Sequence, residues 1–308
     1  MIEHLLPILV GTLAAATPLV LAGLGELVAE KSGVINLGVE GMMLIGAIAG
    51  FAAAVESGGS AGAGLVAGAL AGTGAALLFA VLALSLAANQ AASGLALTIF
   101  GIGLSAFIGQ HYVSDSLPGV KPLAIPLLAQ IPLLGPVFFR QDPVVYLSYA
   151  LFALVWWVLA KTRLGLLLRA VGESPESAHA IGYPVTAIRY GAVLFGGAMA
   201  GIAGAYLSCI YTPLWVQNMT AGRGWISVAL VVFATWKPLR LLLGAYLFGG
   251  VTILQLHAQG LGIAVPSQLL SALPYVATVL VLVLISRDRK LLQLNLPASL
   301  GKPFLPGS

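Results

Sequence analysis

Residues 25–50 read GELVAEKSGVINLGVEGMMLIGAIAG, and this stretch decides the fold class. It begins with charges and turns apolar after Ser32-Gly33, in the manner of a membrane span. The apolar part nevertheless carries Asn36 and Glu40, which lie four residues apart and would share one face of a helix. Because a carboxylate inside a span is costly, Glu40 is a candidate functional residue by default. The alternative is that Glu40 satisfies donors on neighbouring helices and supports the bundle.

The composition of the whole chain is typical of a membrane protein. Of its 308 residues, 59% are hydrophobic and only 8% are charged, and the mean hydropathy is +1.02. A soluble domain of this size needs far more charge to cover its surface. The net charge of +4 therefore indicates no nucleic-acid partner, since the position of the cations relative to the spans matters more. The single cysteine, Cys209, excludes an intrachain disulfide.

The apolar runs predict an all-α, polytopic membrane helical bundle that forms a single transmembrane domain over residues 1–308. A crossing helix needs about 20 residues, and we predict about nine spans, including short or broken ones. They lie near 5–23, 34–54, 62–86, 93–110, 144–160, 189–209, 225–236, 241–256 and 268–286. The first run has no basic segment before it and leads straight into further spans, so we interpret it as a retained helix and not as a cleaved signal.

Two of these spans carry glycines at every third or fourth position, a pattern that lets helix backbones come close. They are Gly64, Gly68 and Gly72 in the third span, and Gly197, Gly201 and Gly204 in the sixth. We interpret both stripes as packing surfaces.

The connection over residues 110–143 is rich in proline, with prolines at 118, 122, 126, 132, 136 and 143. Such density excludes a long regular helix and predicts a folded, external cap.

The basic residues predict the orientation. If nine crossings alternate, most cations fall on one side, which the positive-inside rule makes cytoplasmic. These are Lys31, Lys161, Arg163, Arg169, Arg189, Lys237, Arg240, Arg287, Arg289, Lys290 and Lys302. Only Lys121, Arg140 and Arg223 fall on the other side. The N-terminus is then outside, and the C-terminus is cytoplasmic.

The apolar run at 225–236 is too short to cross a bilayer unaided, since Lys237-Pro238 follows it. The opening stretch at 25–50 is its counterpart in a first, pseudo-repeated half of the chain. Paired short or broken spans in two halves indicate a transport site near the middle of the membrane. The alternative is a pair of tilted or re-entrant helices that only pack.

A segment at 161–188 is predicted on the cytoplasmic side and contains a short helix with defined ends. Ser174 can cap its start, Pro175 suits the first helical position, and Glu176 suits the positive helix start. Gly182 can end the helix, and the following Tyr183-Pro184 prevents its continuation. Such a helix of about two turns is suited to docking into another protein, although it could also be an ordinary loop.

Three motifs resemble one family, the membrane permease subunits of bacterial ABC importers that serve simple sugars, nucleosides and branched-chain amino acids. GELVAEKSGVINLGVEGMMLIGA is similar to the signature of the nucleoside-type members. LLLRAVGESPESAHAIGYPV resembles the family's coupling segment, and AGRGWISVALVVFATWKPLRLLLGAYLFG resembles its late membrane motif. The resemblance covers roughly residues 10–290. One departure is Ala234-Thr235-Trp236, where relatives often have a glycine before the tryptophan motif.

The resemblance implies a transport subunit of the bacterial inner membrane that has no catalytic residues and binds no cofactor or metal itself. It implies a cytoplasmic ABC ATPase that holds ATP and Mg, a second and commonly different permease, an external substrate-binding protein, and surrounding lipid. The sequence agrees, because it contains no phosphate-binding loop of the G-x-x-x-x-G-K-[ST] type. Coupling to the ATPase would fall on Gly172, Glu173, Ser174, Pro175, Glu176, His179 and Gly182.

For a nucleoside, a neutral and flat solute, we expect aromatic stacking and hydrogen bonds from amides or hydroxyls. The candidates for the substrate path are Asn36, Glu40, Asn218 and Trp225. Asn89 and Gln90 could also contribute, but capping of a helix explains them better. Trp225 could equally anchor the chain at the membrane interface.

Other substrates and mechanisms remain open. A sugar or a branched-chain amino acid is the alternative within the family, but an amino-acid carrier should offer a cation or a free helix N-terminus, and no lysine or arginine lies well inside a predicted span. A stand-alone secondary transporter would need several deep titratable groups, and Glu40 is the only strong candidate. We expect Glu26, Glu30 and Lys31 to form the cytoplasmic mouth, with Glu40 an inner-gate or support residue above it.

Overall fold

The structure is a computed structural model, and it describes residues 2–132, 134–260, 269, 272–273, 275–277, 279–281 and 295–305. Helices dominate the described chain: α1 (Ile2–Lys31), α2 (Val39–Glu56), α3 (Ala61–Ala80), α4 (Gln90–Gly109), α5 (Leu134–Phe138), α6 (Pro143–Lys161), α7 (Arg163–Glu173), α8 (Pro175–Ala180), α9 (Val185–Tyr206), α10 (Arg223–Phe233) and α11 (Pro238–Gly260). Wider π-helical turns extend α3 through Val81–Ser85 and α9 through Leu207–Tyr211. The prediction of an all-α bundle is confirmed.

Seven of the described helices are long and apolar enough to cross a membrane. They are α1, α2, α3, α4, α6, α9 and α11, and each overlaps one predicted span, although α1 continues to Lys31, well beyond the predicted end at residue 23. The predicted ninth span, at 268–286, lies largely outside the described residues, and so do Arg287, Arg289 and Lys290.

Local sequence signals fix several helix ends. Asp142 accepts hydrogen bonds from the amides of Val144 and Val145, and Pro143 occupies the first position of α6. Asn89 caps α4 by accepting from the Ala92 amide at 2.9 Å, as its interpretation as a capping residue predicts.

The centre of the bundle consists of α1, α2, α3 and α9, which pack closely on one another. In α2 and α9, 72% of the spanning window is buried, against only 22% in α11 at the periphery. The glycine stripes explain the close approach, because a side chain at Gly72 or Gly201 would strike the backbone of the partner helix. Both stripes are packing surfaces, as their spacing predicts.

Residues 110–142 contain no helix longer than five residues where the structure describes them. Two short antiparallel strands, β1 (Leu123–Ala124) and β2 (Arg140–Gln141), hold the segment together, and Tyr146 of α6 donates to the Leu123 carbonyl at 2.9 Å. The placement of this segment outside the membrane stays a prediction.

Several of the basic residues meet at one end of the bundle, which we call the basic end. The buried Arg189 donates to the carbonyls of Ser32 at 3.1 Å and Lys302 at 3.2 Å. Lys31 donates to the carbonyl of Asn295 at 3.1 Å. The chain therefore folds its described C-terminal segment, 295–305, back onto the end of α1. Which side of the membrane this end faces stays a prediction.

Candidate translocation site

The segment between α9 and α11 crosses the bundle in two different conformations. Residues 212–222 are irregular, and Leu214 pairs with Ser116 of the proline-rich connection. Helix α10 then runs for 11 residues, which is about 16 Å or half the thickness of a bilayer core. Beyond it, Trp236 reaches Glu30 near the basic end, with 2.5 Å between its indole nitrogen and the carboxylate. The predicted short span is therefore a half-helix that begins near the middle of the bundle.

Glu40 of α2 caps this half-helix. One carboxylate oxygen accepts from the Thr220 hydroxyl at 2.5 Å and the Gly222 amide at 2.8 Å. The other oxygen accepts from the Gly224 amide at 2.6 Å, and the side chain is only 2% exposed. A carboxylate at a helix start is favourable because it meets unpaired amides and the positive end of the helix dipole. The structure thus joins the opening stretch to the short segment, and these contacts are those of a support residue.

The starts of α2 and α10 touch at backbone level. Gly222 adopts a left-handed conformation, with φ of +82°, directly before α10. A Cβ atom at Gly224 would lie 2.5 Å from both the backbone nitrogen and the Cα atom of Glu40. Only glycine permits this approach, so the hydrogen bonds of the Glu40 carboxylate depend on it.

The prediction that Asn36 and Glu40 share a helix face is wrong. Gly33, with φ of +90°, ends α1, and α2 begins only at Val39. Asn36 lies in the irregular turn between them, where its side-chain oxygen accepts from the Gly38 amide at 2.9 Å. The Asn36 side chain stabilises this turn, because asparagine readily replaces a backbone acceptor in such positions.

Two buried side chains from other helices hold the same turn. Glu26 accepts from the Asn36 amide at 2.9 Å, and Gln90 accepts from the Ile35 amide at 2.9 Å. Glu26 and Glu30 are each 1% exposed, so the expected cytoplasmic mouth formed by them is wrong. Both carboxylates face inward instead, where they hold the turn and Trp236. The sequence signal for this role was the helical spacing of the two glutamates inside an apolar helix.

The other two candidates for the substrate path lie on either side of the capped helix start. Asn218 is exposed in a left-handed conformation, with φ of +58°, and its carbonyl accepts from the Ala221 amide at 3.0 Å. Trp225, in the first turn of α10, is 37% exposed. The structure therefore brings Asn218, Glu40 and Trp225 to one junction, whereas Asn36 stays in its own turn. Contact of any of the four with substrate stays a prediction.

Arg223 lies beside this junction and lines a cavity between α1, α10 and α11 of about 180 Å³. Leu19, Thr252 and Tyr275 also line the cavity. The guanidinium donates to the Thr220 carbonyl at 3.1 Å. The sequence-based expectation was that no lysine or arginine lies well inside a predicted span, and Arg223, at the first position of α10, precedes the predicted span at 225–236. Because α10 begins at depth, Arg223 nevertheless lies beside the junction. Glu40 and Arg223 place opposite charges at the same helix start.

The predicted coupling helix is present as α8. Ser174 accepts from the Ser177 amide at 3.3 Å, Pro175 holds the first position, and Gly182 follows with φ of +93°. Pro175 is buried, whereas Glu173, Glu176, His179 and Gly182 are exposed. The preceding helix α7 was not predicted; Thr162, which directly follows α6, caps its start by accepting from the Gly165 amide. Docking of α8 into an ATPase stays a prediction.

The sequence was compared with models of known protein families. The family model described as "Branched-chain amino acid transport system / permease component" matches residues 8–285. The chain belongs to this permease family. Within the residues that the structure describes, no group of three or more His, Cys, Asp or Glu side chains could hold a metal ion.

Curated relatives of the permease are ABC transporter subunits. A putative glucose ABC transporter permease of Haloferax volcanii is 43% identical over 88% of this chain and 89% of its own length. A nucleoside ABC transporter permease of Lactococcus lactis is 33% identical, over 90% and 91%. A guanosine ABC transporter permease of Bacillus subtilis is also 33% identical, over 99% of both chains. The permease is therefore a multi-pass membrane transport subunit of the sugar and nucleoside type.

The C-terminal segment 295–305 of the permease also connects several helices at the basic end, a feature that the sequence did not predict. Ser299 of the C-terminal segment donates its hydroxyl to the Gly172 carbonyl at 2.7 Å and accepts from Arg189 at 3.0 Å. Phe304 is buried and lies edge-on to His179, with ring centroids 5.6 Å apart. The segment thus ties α8 to the end of α1. Buried Arg189 was the available signal, since an arginine in the first turn of a span needs partners.

Proposed function

We propose that the permease forms the translocation path for a neutral, hydroxyl-bearing solute in an ATP-driven importer. The observation that carries this proposal is the half-helix α10, whose start lies inside the bundle and is flanked by exposed Asn218 and Trp225. Discontinuous spans in transporters place their substrate sites at such breaks. Exposed polar backbone and side chains at this depth need water, substrate or a second subunit, because lipid cannot satisfy them.

The charges around α10 favour a neutral solute. The amides of Gly222 and Gly224 would otherwise attract a substrate carboxylate, but Glu40 already occupies them. Arg223 carries the opposite charge beside Glu40, so the junction has no net charge from this pair. A branched-chain amino acid, with its own carboxylate, finds no unoccupied helix start at this position.

A nucleoside is the first candidate. The signature at 25–50 resembles nucleoside-type permeases, and exposed Trp225 offers a flat face on which a base could stack. Stacking of a base on an aromatic ring contributes about 1 kcal/mol or more. Asn218 could supply the hydrogen bonds that an amide makes with ring hydroxyls or base edges.

A monosaccharide is the second candidate, and a specific observation favours it. The relative with 43% identity carries the name of a putative glucose permease, whereas the two nucleoside relatives have 33%. A sugar would use the same amide and an aromatic face, since tryptophan packs against the apolar face of a ring.

The proposed machine contains a second permease, a cytoplasmic ATPase that binds ATP and Mg, and an external binding protein. Haloferax volcanii and Bacillus subtilis each have a further glucose or guanosine permease that is also similar to this chain, which supports a pair of different permeases. We expect α8 to pass the closing of the ATPase to the spans, which then shift between outward and inward openings.

The test measures uptake of labelled guanosine, glucose and leucine by cells with and without the chain. We expect loss of uptake of guanosine or glucose, and no change for leucine. Trp225→Ala should lower guanosine uptake at least about fivefold if the base stacks, and Trp157→Ala, at an exposed position on α6, is the matched control. Unchanged uptake of guanosine and glucose without the chain would contradict the proposal, and loss of leucine uptake alone would show an amino-acid permease.

A further inference from the structure

A second cavity, of about 550 Å³, opens at the basic end between the end of α1, α6 and α7. Lys31 and Arg169 supply its basic wall. Trp156 and Leu159 of α6 and Trp236 supply an apolar wall. The cavity is thus amphipathic, and it is separate from the junction at Glu40.

The two cations of this cavity are held by neutral groups. Lys31 donates to the Asn295 carbonyl at 3.1 Å, and the Nε of Arg169 donates to the Gly165 carbonyl at 3.2 Å. Among the described residues, neither cation forms an ion pair with a carboxylate. Both therefore keep N–H donors available for an anion that enters the cavity, which the Glu173 carboxylate also lines.

Nearby charges leave the cavity with a positive excess. Arg169 and Lys237 are the cations that act on Lys31, and Glu30 and Glu173 are the carboxylates that do so. Glu30 is engaged by the Trp236 indole, whereas Glu173 lines the cavity together with Lys31 and Arg169. The lining therefore carries two basic groups and one carboxylate, an excess that one monovalent anion would balance.

An apolar groove adjoins the cavity. It has a volume of about 200 Å³, and all its walls are apolar side chains of α1, α6, α7 and α9, among them Leu154, Leu168 and Phe195. The groove and the cavity share Leu159. A ligand with a charged head and a hydrocarbon tail could therefore occupy both at once.

The position along the spans is that of a membrane surface. Helix α1 ends at Lys31, α6 ends at Lys161, and α11 begins at Pro238, next to the cavity. Trp156 is 49% exposed at this level, where tryptophan commonly contacts lipid headgroups.

We propose that this cavity and groove bind one anionic phospholipid, with its phosphate between Lys31 and Arg169 and an acyl chain along the groove at Leu159. Basic pockets between spans are known to suit such headgroups. Free phosphate would match the two cations but would leave the adjoining groove unused. The bound lipid would link α7 to α1 and α6. It would thereby stabilise the position of α7, which directly precedes α8.

The experiment uses the purified full chain in detergent, with bound lipid counted by native mass spectrometry and stability followed by thermal unfolding. The additions are dioleoyl phosphatidylglycerol, dioleoyl phosphatidylcholine and inorganic phosphate. We expect one tightly held phosphatidylglycerol and a clear rise of the unfolding midpoint, a smaller rise with phosphatidylcholine, and none with phosphate.

Two pairs of variants test the two parts of the site. Arg169→Gln should weaken phosphatidylglycerol binding about fivefold, as expected for one cation at a membrane surface. Arg163→Gln removes an exposed cation of the same helix outside the cavity and should change nothing. Leu154→Asn should weaken binding through the groove, whereas Leu147→Asn, exposed elsewhere on α6, should not.

The outcomes separate the sources of the anion. Equal stabilisation by phosphate and phosphatidylglycerol, with no effect of Leu154→Asn, would overturn the lipid assignment in favour of a free anion. Equal behaviour of Arg169→Gln and Arg163→Gln would overturn the site altogether. For each variant, the unfolding midpoint with lipid is compared with the midpoint of the same variant without lipid. A general loss of stability therefore cannot produce either result.

Discussion

Two helix starts of the permease are capped in opposite ways. Helix α8 is capped by Ser174, three residues before the amide that it accepts from. Helix α10 is capped by Glu40, which is 182 residues before Gly222 in the chain. The first cap joins residues of one short segment, whereas the second exists only when α2 and α10 are already packed. The start of α8 is therefore encoded within its own segment, whereas the start of α10 depends on the fold.

The largest expected effect comes from removing the long-range cap. Glu40→Ala leaves the Thr220 hydroxyl and the amides of Gly222 and Gly224 without their acceptor. Thr220 and Gly224 are buried, and a buried unpaired group costs about 1–3 kcal/mol. We expect a loss of about 3 kcal/mol or more in the free energy of unfolding, measured by denaturation in detergent, together with loss of transport.

Two further variants control this experiment. Glu40→Gln keeps one acceptor and should lie between wild type and alanine. Glu56→Ala removes an exposed carboxylate from the other end of α2, where it only accepts from the Tyr112 hydroxyl, and should cost little. Equal stability of Glu40→Ala and Glu56→Ala would show that the cap is not what holds α10.

A smaller effect is expected from separating the two backbones while the carboxylate stays in place. In Gly224→Ala, the new methyl group collides with the backbone of Glu40, so α10 must shift away at a cost of about 2 kcal/mol. Thermal unfolding measures the change, and Gly103→Ala, with open space around its Cα atom, is the matched control. If Gly224→Ala left the unfolding midpoint unchanged, the start of α10 would be packed less closely against α2 than its contacts imply.

The smallest effect is expected at the local cap. Ser174→Ala should lower stability by about 1 kcal/mol or less, and Ser174→Asp should restore it. Because α8 is short and its outer residues are exposed, the change should affect ATP-driven transport more than unfolding, measured as uptake against the detergent unfolding midpoint. An Ser174→Ala variant as unstable as Glu40→Ala would abolish the distinction between the two caps.

Much of the fold could be predicted because its signals are local. Hydropathy located the seven long helices, glycine spacing identified the packing surfaces of α3 and α9, and Ser174 with Gly182 located α8. Each of these signals lies within one segment of chain. The candidate site was found only in part, since the sequence identified Glu40, Asn218 and Trp225 but gave Asn36 the wrong conformation.

The missed features share a physical cause. Glu26 and Glu30 look like surface charges because they adjoin Lys31, yet they are buried, since α1 continues to Lys31 while α9 and α10 cover it. Arg223 looks like a residue at the far surface, yet it lines the cavity between α1, α10 and α11 because α10 begins at depth. In both cases the depth of a residue depends on its neighbours in space.

The sequence by itself therefore determined that this is a helical membrane permease, where most of its spans lie, and that Glu40 is the exceptional charge of the opening stretch. Only the tertiary structure decided what that charge does. It showed that residues 25–50 close onto the start of α10, with Glu40 on the amides of Gly222 and Gly224. The reason is that a buried carboxylate must find donors, but which donors come within reach is set by the packing of glycine-lined helices far apart in the chain.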